Sequence, residues 1–224
     1  MAAPLPSPAP VRAIVPLRSL HGAKRRLAPS LPDHQRRELV AWMAQRVLAA
    51  LSAAETVART VVVAGDAEAA ALAEAAGAQA LRVPARGLDH ALSTADALAP
   101  EPPASLVVPA DLPLARSGEV DRLCRALEGH GPGVALVATR DGGTGALLRR
   151  PGRVIATAFG AGSAQRHRDR AAARGIPVRT LDLPGLAHDV DVPEDLAVVA
   201  KAHAGPLPWA ATPAGRGPAR DATH

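Results

Sequence analysis

Aromatic residues are nearly absent from this chain, which has one phenylalanine, two tryptophans and no tyrosine among its 224 residues. The core must therefore be built from aliphatic side chains. The aromatic platforms on which single-stranded nucleic acid stacks are also missing. The formal net charge of +5 fits small anionic substrates, and we expect no nucleic-acid partner.

Cysteine is equally scarce. Cys124 is the only one, so no internal disulfide can form, and a reducing compartment is the simplest inference. No apolar stretch approaches the length of a membrane span. The Ala/Pro/Ser-rich residues 1–10 lack the pattern of a secretory signal, a basic start followed by an apolar run. We expect a cytoplasmic protein with no membrane partner.

Short apolar segments alternate with helical patterns along the chain. This alternation predicts an α/β fold, a three-layer sandwich with a mostly parallel sheet. We expect a single domain over 11–203, between a disordered N-terminal extension, 1–10, and a Pro/Gly-rich disordered tail, 204–224. The predicted strands are 11–17, 60–64, 79–83, 105–108, 133–138 and 178–181, and the longest predicted helices are 33–51, 119–128, 164–174 and 194–201.

The strand 105–108 leads directly into a carboxylate, Asp111, and Pro113 then prevents the strand from continuing. Ligands of open α/β sheets bind beyond the carboxyl ends of strands. Mg²⁺ binds through a few carboxylates together with substrate phosphates. Asp111 is therefore a candidate metal ligand, although a residue that only caps the following turn fits the local pattern equally well.

A basic loop follows the first strand and contains Arg18, Lys24, Arg25 and Arg26. The chain has only two lysines, so Lys24 stands out where arginine is the usual cation. Such a loop can neutralise a triphosphate, and its lack of the glycine spacing of a P-loop excludes that motif. The alternative is a solvated basic loop, and the charge of these residues, taken alone, favours this alternative.

A second pair of carboxylates, Asp189 and Asp191, lies before the last predicted helix. Together with Asp111 they offer an oxygen-ligand set suited to Mg²⁺. The alternative is that Asp191 is the N-cap of the last helix, with Pro193 in its first turn.

Two glycine-rich turns, 142–144 and 160–163, each end in a hydroxyl residue. Glycines let backbone N–H groups approach an oxyanion, and the second turn opens a helix whose N-terminus favours anions. Ordinary loops are the alternative. The helix carries Arg166, His167, Arg168 and Arg170, which either extend an anion site or are solvated. A phosphate or carboxylate nucleophile is already ionised, so we assign His167 no acid–base role.

Six segments in this order resemble one family: VPLRSLHGAKRRL, GLDHAL, VVPADLPL, GGTGALL, FGAGSAQRH and HDVDVPEDL. The chain is similar, from about residue 11 to 200, to the 2-phospho-L-lactate/phosphoenolpyruvate guanylyltransferases of coenzyme F-420 biosynthesis. The resemblance implies a Rossmann-like nucleotidyltransferase fold of the nucleotide-diphospho-sugar transferase type. It also implies an Mg²⁺-dependent enzyme that joins GMP from GTP to a three-carbon phospho-acid and releases pyrophosphate.

The resemblance also implies roles for individual residues. Those of the metal site are Asp111, Asp189 and Asp191, and those that bind the phospho-acid are Thr144, Gly160 and Ser163. Lys24 and Asp111 would be the catalytic residues. The residues expected at GTP are Arg18, Lys24, Arg25, Gly87, Leu88 and Asp89.

Two positions depart from the family pattern. Asp89 replaces the usual asparagine of GLNxAL, and Gly145 replaces the asparagine of GGTNAL. A carboxylate accepts hydrogen bonds but cannot donate them as an amide does. These departures leave open other acceptors, such as 3-phosphoglycerate, and a non-catalytic nucleotide-binding paralogue. The sequence also leaves the oligomeric state open, a homodimer included.

Overall fold

A seven-stranded sheet organises the part of the chain that the computed structural model describes, which is residues 10–83, 87–97, 101–203, 205, 207 and 209. The strands are β1 (Val11–Leu17), β2 (Val57–Ala64), β3 (Gln79–Arg82), β4 (Ala104–Val107), β5 (Gly133–Ala138), β6 (Thr144–Arg150) and β7 (Val178–Thr180). The α-helices are α1 (Asp33–Ser52), α2 (Ala67–Ala75), α3 (Leu88–Ala97), α4 (Ser117–Arg125), α5 (Ser163–Ala172), α6 (Pro184–Ala187) and α7 (Pro193–Ala202), and a short 3₁₀ helix spans Arg25–Leu27.

The strand order is β3-β2-β1-β4-β6-β5-β7. All neighbouring pairs are parallel except those of β6, which runs antiparallel to both β4 and β5. The carboxyl ends of the parallel strands therefore share one edge with the amino end of β6. This direction brings Thr144, the first residue of β6, to the edge where the sequence predicts ligand binding.

Two hydrophobic clusters cover the two faces of the sheet. Alternate residues of β1 show the division, because Val11, Ala13, Val15 and Leu17 join the larger cluster and Ile14 joins the smaller one. The larger cluster includes buried residues of α1, α2, α4, α6 and α7, whereas α3 and α5 contribute to the smaller one. The predicted three-layer α/β sandwich with a mostly parallel sheet is thus confirmed.

The predicted bounds of two strands are confirmed, those of β1 and β5. The strand β6 was not predicted, because its glycine-rich start and its two arginines resemble a loop. The N-cap of α1 is Pro32, and Asp33 is its first helical residue. The alternative in which Asp191 is the N-cap of the last helix is wrong, because the N-cap of α7 is Val192.

The two predicted terminal segments fall almost entirely outside the described residues. Within the predicted tail, Trp209 is buried against the larger cluster, and its ring lies 5.2 Å from that of Trp42 on α1 in an edge-to-face arrangement. Among the helices of the described residues, none is both long and apolar enough to cross a membrane.

Candidate active site

A cavity of about 370 Å³ lies at the carboxyl edge of the sheet. Its walls come from the loops that follow β1, β2 and β4, and from the start of α3, which contributes Gly87 and Leu88. One wall is apolar and includes Val40 and Met43 of α1. The cations Arg18 and Lys24 line the same space, so the cavity joins an apolar wall to a positively charged one.

Gly65 lets two loops of this cavity approach each other closely. A Cβ at this position would lie 2.0 Å from the carbonyl oxygen of Arg18, so any side chain would force the loops apart. The Gly65 N–H donates to the Leu17 carbonyl oxygen at 3.1 Å, which extends the pairing of β1 and β2 by one hydrogen bond. The position of Arg18 at the cavity therefore depends on this glycine.

Lys24 joins two of the three predicted metal-site carboxylates. Its Nζ donates to Asp111 Oδ2 and to Asp191 Oδ1, at 2.6 Å each, and the side chain is only 11% exposed. Burial lowers the pKa of Lys24, but the charges of Asp111 and Asp191 outweigh burial, and the pKa lies above its usual value. Lys24 is thus charged at neutral pH.

The backbone of Lys24 is also unusual. It has φ 51° and ψ 47°, and among the described residues it is the only non-glycine with a positive φ. The left-handed conformation costs an L-residue about 1–2 kcal/mol. The two ion pairs stabilise this conformation, which directs the side chain toward the carboxylates.

Asp189 and Asp191 reach the site through backbone contacts of their own segment. The Val190 N–H between them donates to the Asp111 carbonyl oxygen at 3.2 Å. The carboxylate of Asp195 accepts the N–H groups of Asp191, at 2.8 Å, and of Val192, at 2.9 Å. Asp195 therefore caps the start of α7 through its side chain, whereas Asp191, the alternative cap, contributes only its N–H group.

The acidic residues fit a divalent cation by their chemistry, since carboxylate oxygens are the ligands that Mg²⁺ prefers. Burial and the nearby charges of Asp111 and Asp191 raise the pKa of Asp189 to about 6, a repulsion that a cation would relieve. Across the described ranges, however, no three His, Cys, Asp or Glu side chains are grouped as a metal site. Lys24 supplies the positive charge to two of these carboxylates instead.

The three residues predicted to bind the phospho-acid come together next to this edge. Ser163 Oγ donates to Thr144 Oγ1 at 2.9 Å, and the Ser163 N–H donates to the Gly160 carbonyl oxygen at 3.0 Å. The two glycine-rich turns are joined by the Ala164 N–H, which donates to the Gly142 carbonyl oxygen at 3.2 Å. Both turns therefore form one structure around two hydroxyl groups.

Two arginines of α5 use their side chains to contact backbone carbonyl oxygens, so they are neither fully solvated nor placed as anion ligands. Arg166 donates to the carbonyl oxygens of Ala158, Ala161 and Phe159, and so encloses the second glycine-rich turn. Arg170 likewise donates to backbone carbonyl oxygens just before that turn. These side chains stabilise the shape of the turn.

The residues predicted for GTP are only partly brought together. Arg18, Lys24, Gly87 and Leu88 line the cavity, whereas Arg25 is exposed on the 3₁₀ helix. The Asp89 side chain accepts a hydrogen bond from the Phe159 N–H at 3.0 Å, so it links α3 to the second glycine-rich turn. This contact needs only an acceptor oxygen, which an asparagine also has.

Gly145, the other departure from the family pattern, is required by packing. It is the extra residue of an irregularity between β5 and β6, where Val137 pairs with Ala146 and Ala138 pairs with Thr144. A Cβ on Gly145 would lie 1.8 Å from the Leu186 carbonyl oxygen of α6. No side chain can be accommodated there without moving α6.

Gly65 and Asp195 are not among the site residues that the sequence predicts. For His167 the sequence leaves two alternatives, an anion site or a solvated side chain, and the second is wrong because His167 is buried. One signal for it was available, because Ser163 and His167 are four residues apart on one helix and therefore share a face.

Several named bacterial proteins have sequences similar to this chain. A phosphoenolpyruvate guanylyltransferase from Sphaerobacter thermophilus is 42% identical over 191 residues, which cover 84% of this chain and 91% of that protein. A 3-phospho-D-glycerate guanylyltransferase from Phenylobacterium zucineum is 41% identical over 199 residues, covering 86% of this chain and 91% of that protein.

Solved structures of low sequence identity share the fold. One is a nucleotidyl transferase from Methanothermobacter thermautotroptrophicus, with a TM-score of 0.62 and 16% identity over 86% of this chain and 96% of that one. Another is a CMP:2-keto-3-deoxy-manno-octonic acid synthetase in complex with CTP, with a TM-score of 0.60 and 15% identity over 87% of this chain and 100% of that one. The family model described as guanylyl transferase CofC like matches residues 11–203, and the chain belongs to that family.

Proposed function

We propose that this protein transfers GMP from GTP to the phosphate of a three-carbon phospho-acid and releases pyrophosphate. In this proposal the acceptor is phosphoenolpyruvate or 2-phospho-L-lactate, and the product enters coenzyme F-420 biosynthesis. The observation that carries the proposal is the cluster of Lys24, Asp111 and Asp191 beside the cavity. It combines a buried cation with carboxylates at the edge where open α/β sheets bind ligands.

The cavity has features that suit a nucleoside triphosphate. Its apolar wall, with Val40 and Met43, suits a base or ribose, and Arg18 and Lys24 suit the phosphates. A side chain at Gly65 would push apart the loops that follow β1 and β2, and this movement would displace Arg18. We assign this cavity to GTP and the paired hydroxyl groups of Thr144 and Ser163 to the acceptor acid.

The proposed reaction is a displacement at phosphorus. An oxygen of the acceptor's phosphate attacks the α-phosphorus of GTP, a new P–O bond forms, and the bond from the α-phosphorus to the bridging oxygen of the leaving pyrophosphate breaks. The nucleophile is already ionised, so no general base is needed. Lys24 would stabilise the charge that develops on the leaving pyrophosphate, and the remaining task of the protein is to align the two substrates.

Asp111, Asp189 and Asp191 are the residues that would hold Mg²⁺. The bound ion would neutralise phosphate charge and orient the phosphate groups. Lys24, whose Nζ now contacts two of these carboxylates, would then be free to contact phosphate oxygens. We therefore expect removal of divalent cations with a chelator to abolish turnover and their return to restore it.

The test is the release of pyrophosphate from GTP, measured with phosphoenolpyruvate, 2-phospho-L-lactate and 3-phosphoglycerate in parallel, and with ATP and CTP as nucleotide controls. We expect rapid release with GTP and one of the first two acids. Rapid release with 3-phosphoglycerate alone would replace the proposed acceptor. Absence of release with every pair, from a folded protein that binds GTP, would refute the proposal and favour a non-catalytic paralogue.

The chain offers a matched control for its central cation, because Lys201 on α7 is the only other lysine and is exposed. We expect Lys24→Met to lower kcat by about 100-fold or more, since it removes a charge aimed at the leaving group. Lys201→Met should leave kcat unchanged. Near-normal turnover of Lys24→Met would exclude Lys24 from the reaction, and near-normal turnover of Asp111→Asn would exclude Asp111.

A further inference from the structure

We propose that His167 is a positioning residue that lets the hydrogen-bonded pair of Thr144 and Ser163 hydroxyl groups donate one hydrogen bond to an oxyanion of the acceptor. The assignment of these hydroxyl groups to the acceptor acid rests on the proposed function. The hydrogen-bond direction itself does not, because it follows from the contacts around the imidazole.

His167 lies in a buried chain of hydrogen bonds. Its Nε2 is 2.9 Å from the Ala158 nitrogen, its Nδ1 is 3.0 Å from Thr144 Oγ1, and Thr144 Oγ1 is 2.9 Å from Ser163 Oγ. His167 and Ser163 are 0% exposed and Thr144 is 6% exposed. Water therefore cannot easily replace any of these partners.

The contact with Ala158 determines which imidazole nitrogen carries the proton. A backbone N–H can only donate, so Nε2 of His167 must accept and must be unprotonated. The ring is also neutral, because burial and the charges of Arg170, Arg149 and Arg166 lower the pKa of His167 to about 4. The single ring proton is therefore on Nδ1, and Nδ1 donates to Thr144 Oγ1.

This direction leaves one hydroxyl proton for a ligand. Thr144 and Ser163 have two hydroxyl protons between them, and the hydrogen bond that joins them uses one. Since Nδ1 of His167 donates, it consumes neither. In the opposite tautomer, Nδ1 would accept the Thr144 proton and the pair would have no proton left for an anion. The Ala158 N–H thus makes the hydroxyl pair a net donor.

The surroundings of the hydroxyl pair suit an anionic ligand. The hydroxyl pair adjoins the turn at Gly160, whose φ of 107° is accessible mainly to glycine. Arg166 donates to a carbonyl oxygen of this turn, that of Ala161, and to those of the two residues before it. Those oxygens are thereby occupied, so they repel an approaching anion less. A carboxylate and a phosphate are both suited to accept the remaining proton.

Two amide substitutions of His167 test the roles of its two ring nitrogens separately. In His167→Asn the amide lies near the position of Nδ1 and can still donate to Thr144. In His167→Gln the amide reaches the position of Nε2, where its oxygen can accept from Ala158, but Thr144 loses its donor. We expect His167→Gln to raise the KM of the acceptor acid by about five- to tenfold, because the Thr144 hydroxyl group loses the hydrogen bond from Nδ1 that orients it. The KM of GTP should stay unchanged, and His167→Asn should retain a KM for the acid close to that of the wild type.

A purely structural role predicts a different pattern. Thermal unfolding of both variants reports how far each is destabilised. A normal KM for the acid in His167→Gln, an equal rise in both variants, or a parallel rise in the KM of GTP would each overturn the proposal. Inhibition by pyruvate, whose only anionic group is a carboxylate, and by inorganic phosphate identifies the oxyanion, because His167→Gln should weaken inhibition by one of them. If it weakens neither, the proposal fails.

The tautomer can be measured without turnover. Long-range ¹H–¹⁵N spectra at neutral pH should show His167 as a neutral ring protonated on Nδ1, with its signals identified by their loss in His167→Asn. A charged ring, or a proton on Nε2, would overturn the proposal even in an active enzyme. A wild-type protein that releases no pyrophosphate with any acid would refute the proposed function, while this measurement would still decide the tautomer.

Discussion

Gly145→Ala is the most informative single substitution, because it tests whether the packing of β6 against α6 positions the acidic segment. The new Cβ would lie 1.8 Å from the Leu186 carbonyl oxygen, and real Cβ contacts are essentially never below 3.0 Å. The carbonyl group must therefore retreat by about 1.2 Å, the difference between these two values. Overpacking of this kind typically costs about 1–3 kcal/mol.

The displacement should also affect the chemistry. The helix α6 ends at Ala187, and Asp189 follows it by two residues. The Val190 N–H then pairs with the Asp111 carbonyl oxygen. A shift of about 1 Å in a reacting group can reduce a rate by about 100-fold. We therefore expect a Tm lower by about 2–12 °C, at about 2–4 °C for each kcal/mol, and a kcat reduced by up to about 100-fold.

Differential scanning fluorimetry and the pyrophosphate assay check the two effects. Gly118→Ala is the matched control, because nothing lies within 4 Å of its Cβ position in α4 and alanine favours the helix. It should melt at or above the wild-type temperature and turn over normally. If Gly145→Ala melted and turned over as this control does, the packing argument would be refuted.

Three further predictions concern stability and reactivity. Asp96→Ala should cost about 3–5 kcal/mol in urea unfolding, since it leaves Arg149, 1% exposed, without the carboxylate that accepts two of its four hydrogen bonds, at 2.9 and 3.0 Å. Asp96→Leu combined with Arg149→Met should recover most of this loss, and a single variant as stable as the wild type would contradict the prediction. Cys124 is 1% exposed and burial raises the pKa of its thiol to about 11, so thiol reagents should label it only in urea, and rapid labelling of the folded protein would contradict its burial. Because the pKa of His167 falls from 6.5 to about 4 on folding, the unfolded chain binds more protons between those values. Its contribution to stability should therefore fall as pH falls through this range, by up to about 1.4 kcal/mol per pH unit, and the difference between wild type and His167→Asn should show this slope.

The strands show how far local sequence predicts structure here. The runs 11–17 and 133–138 are apolar and bounded by turn residues, and both became strands with the expected bounds. The strand β6 was not predicted, because its glycine-rich start and its two arginines look unsuited to a core. Arg149 is nevertheless buried, and its burial depends largely on the distant Asp96, whose carboxylate accepts two of its four hydrogen bonds.

In the candidate site, too, local sequence indicated some features and only the tertiary structure revealed others. Lys24, Asp111, Thr144 and Ser163 were predicted from motifs and their order, and their roles stay predictions. The structure brings them to one edge of the sheet, because each motif follows or opens a strand or helix there. Their contacts were not accessible. Lys24 donates to Asp111 and Asp191, which are 87 and 167 positions away, and such pairs carry no periodic signal in the sequence.

The sequence by itself determined the α/β class, the aliphatic core, the basic first loop and the residue types gathered at the carboxyl edge, because composition, periodicity and order act locally along the chain. Only the tertiary structure decided that Lys24 joins Asp111 and Asp191, that Gly145 has no room for a side chain, and that Ala158 directs the proton of His167. Each of these depends on an atom of a distant segment arriving within about 3 Å, and that proximity exists only once the sheet has formed.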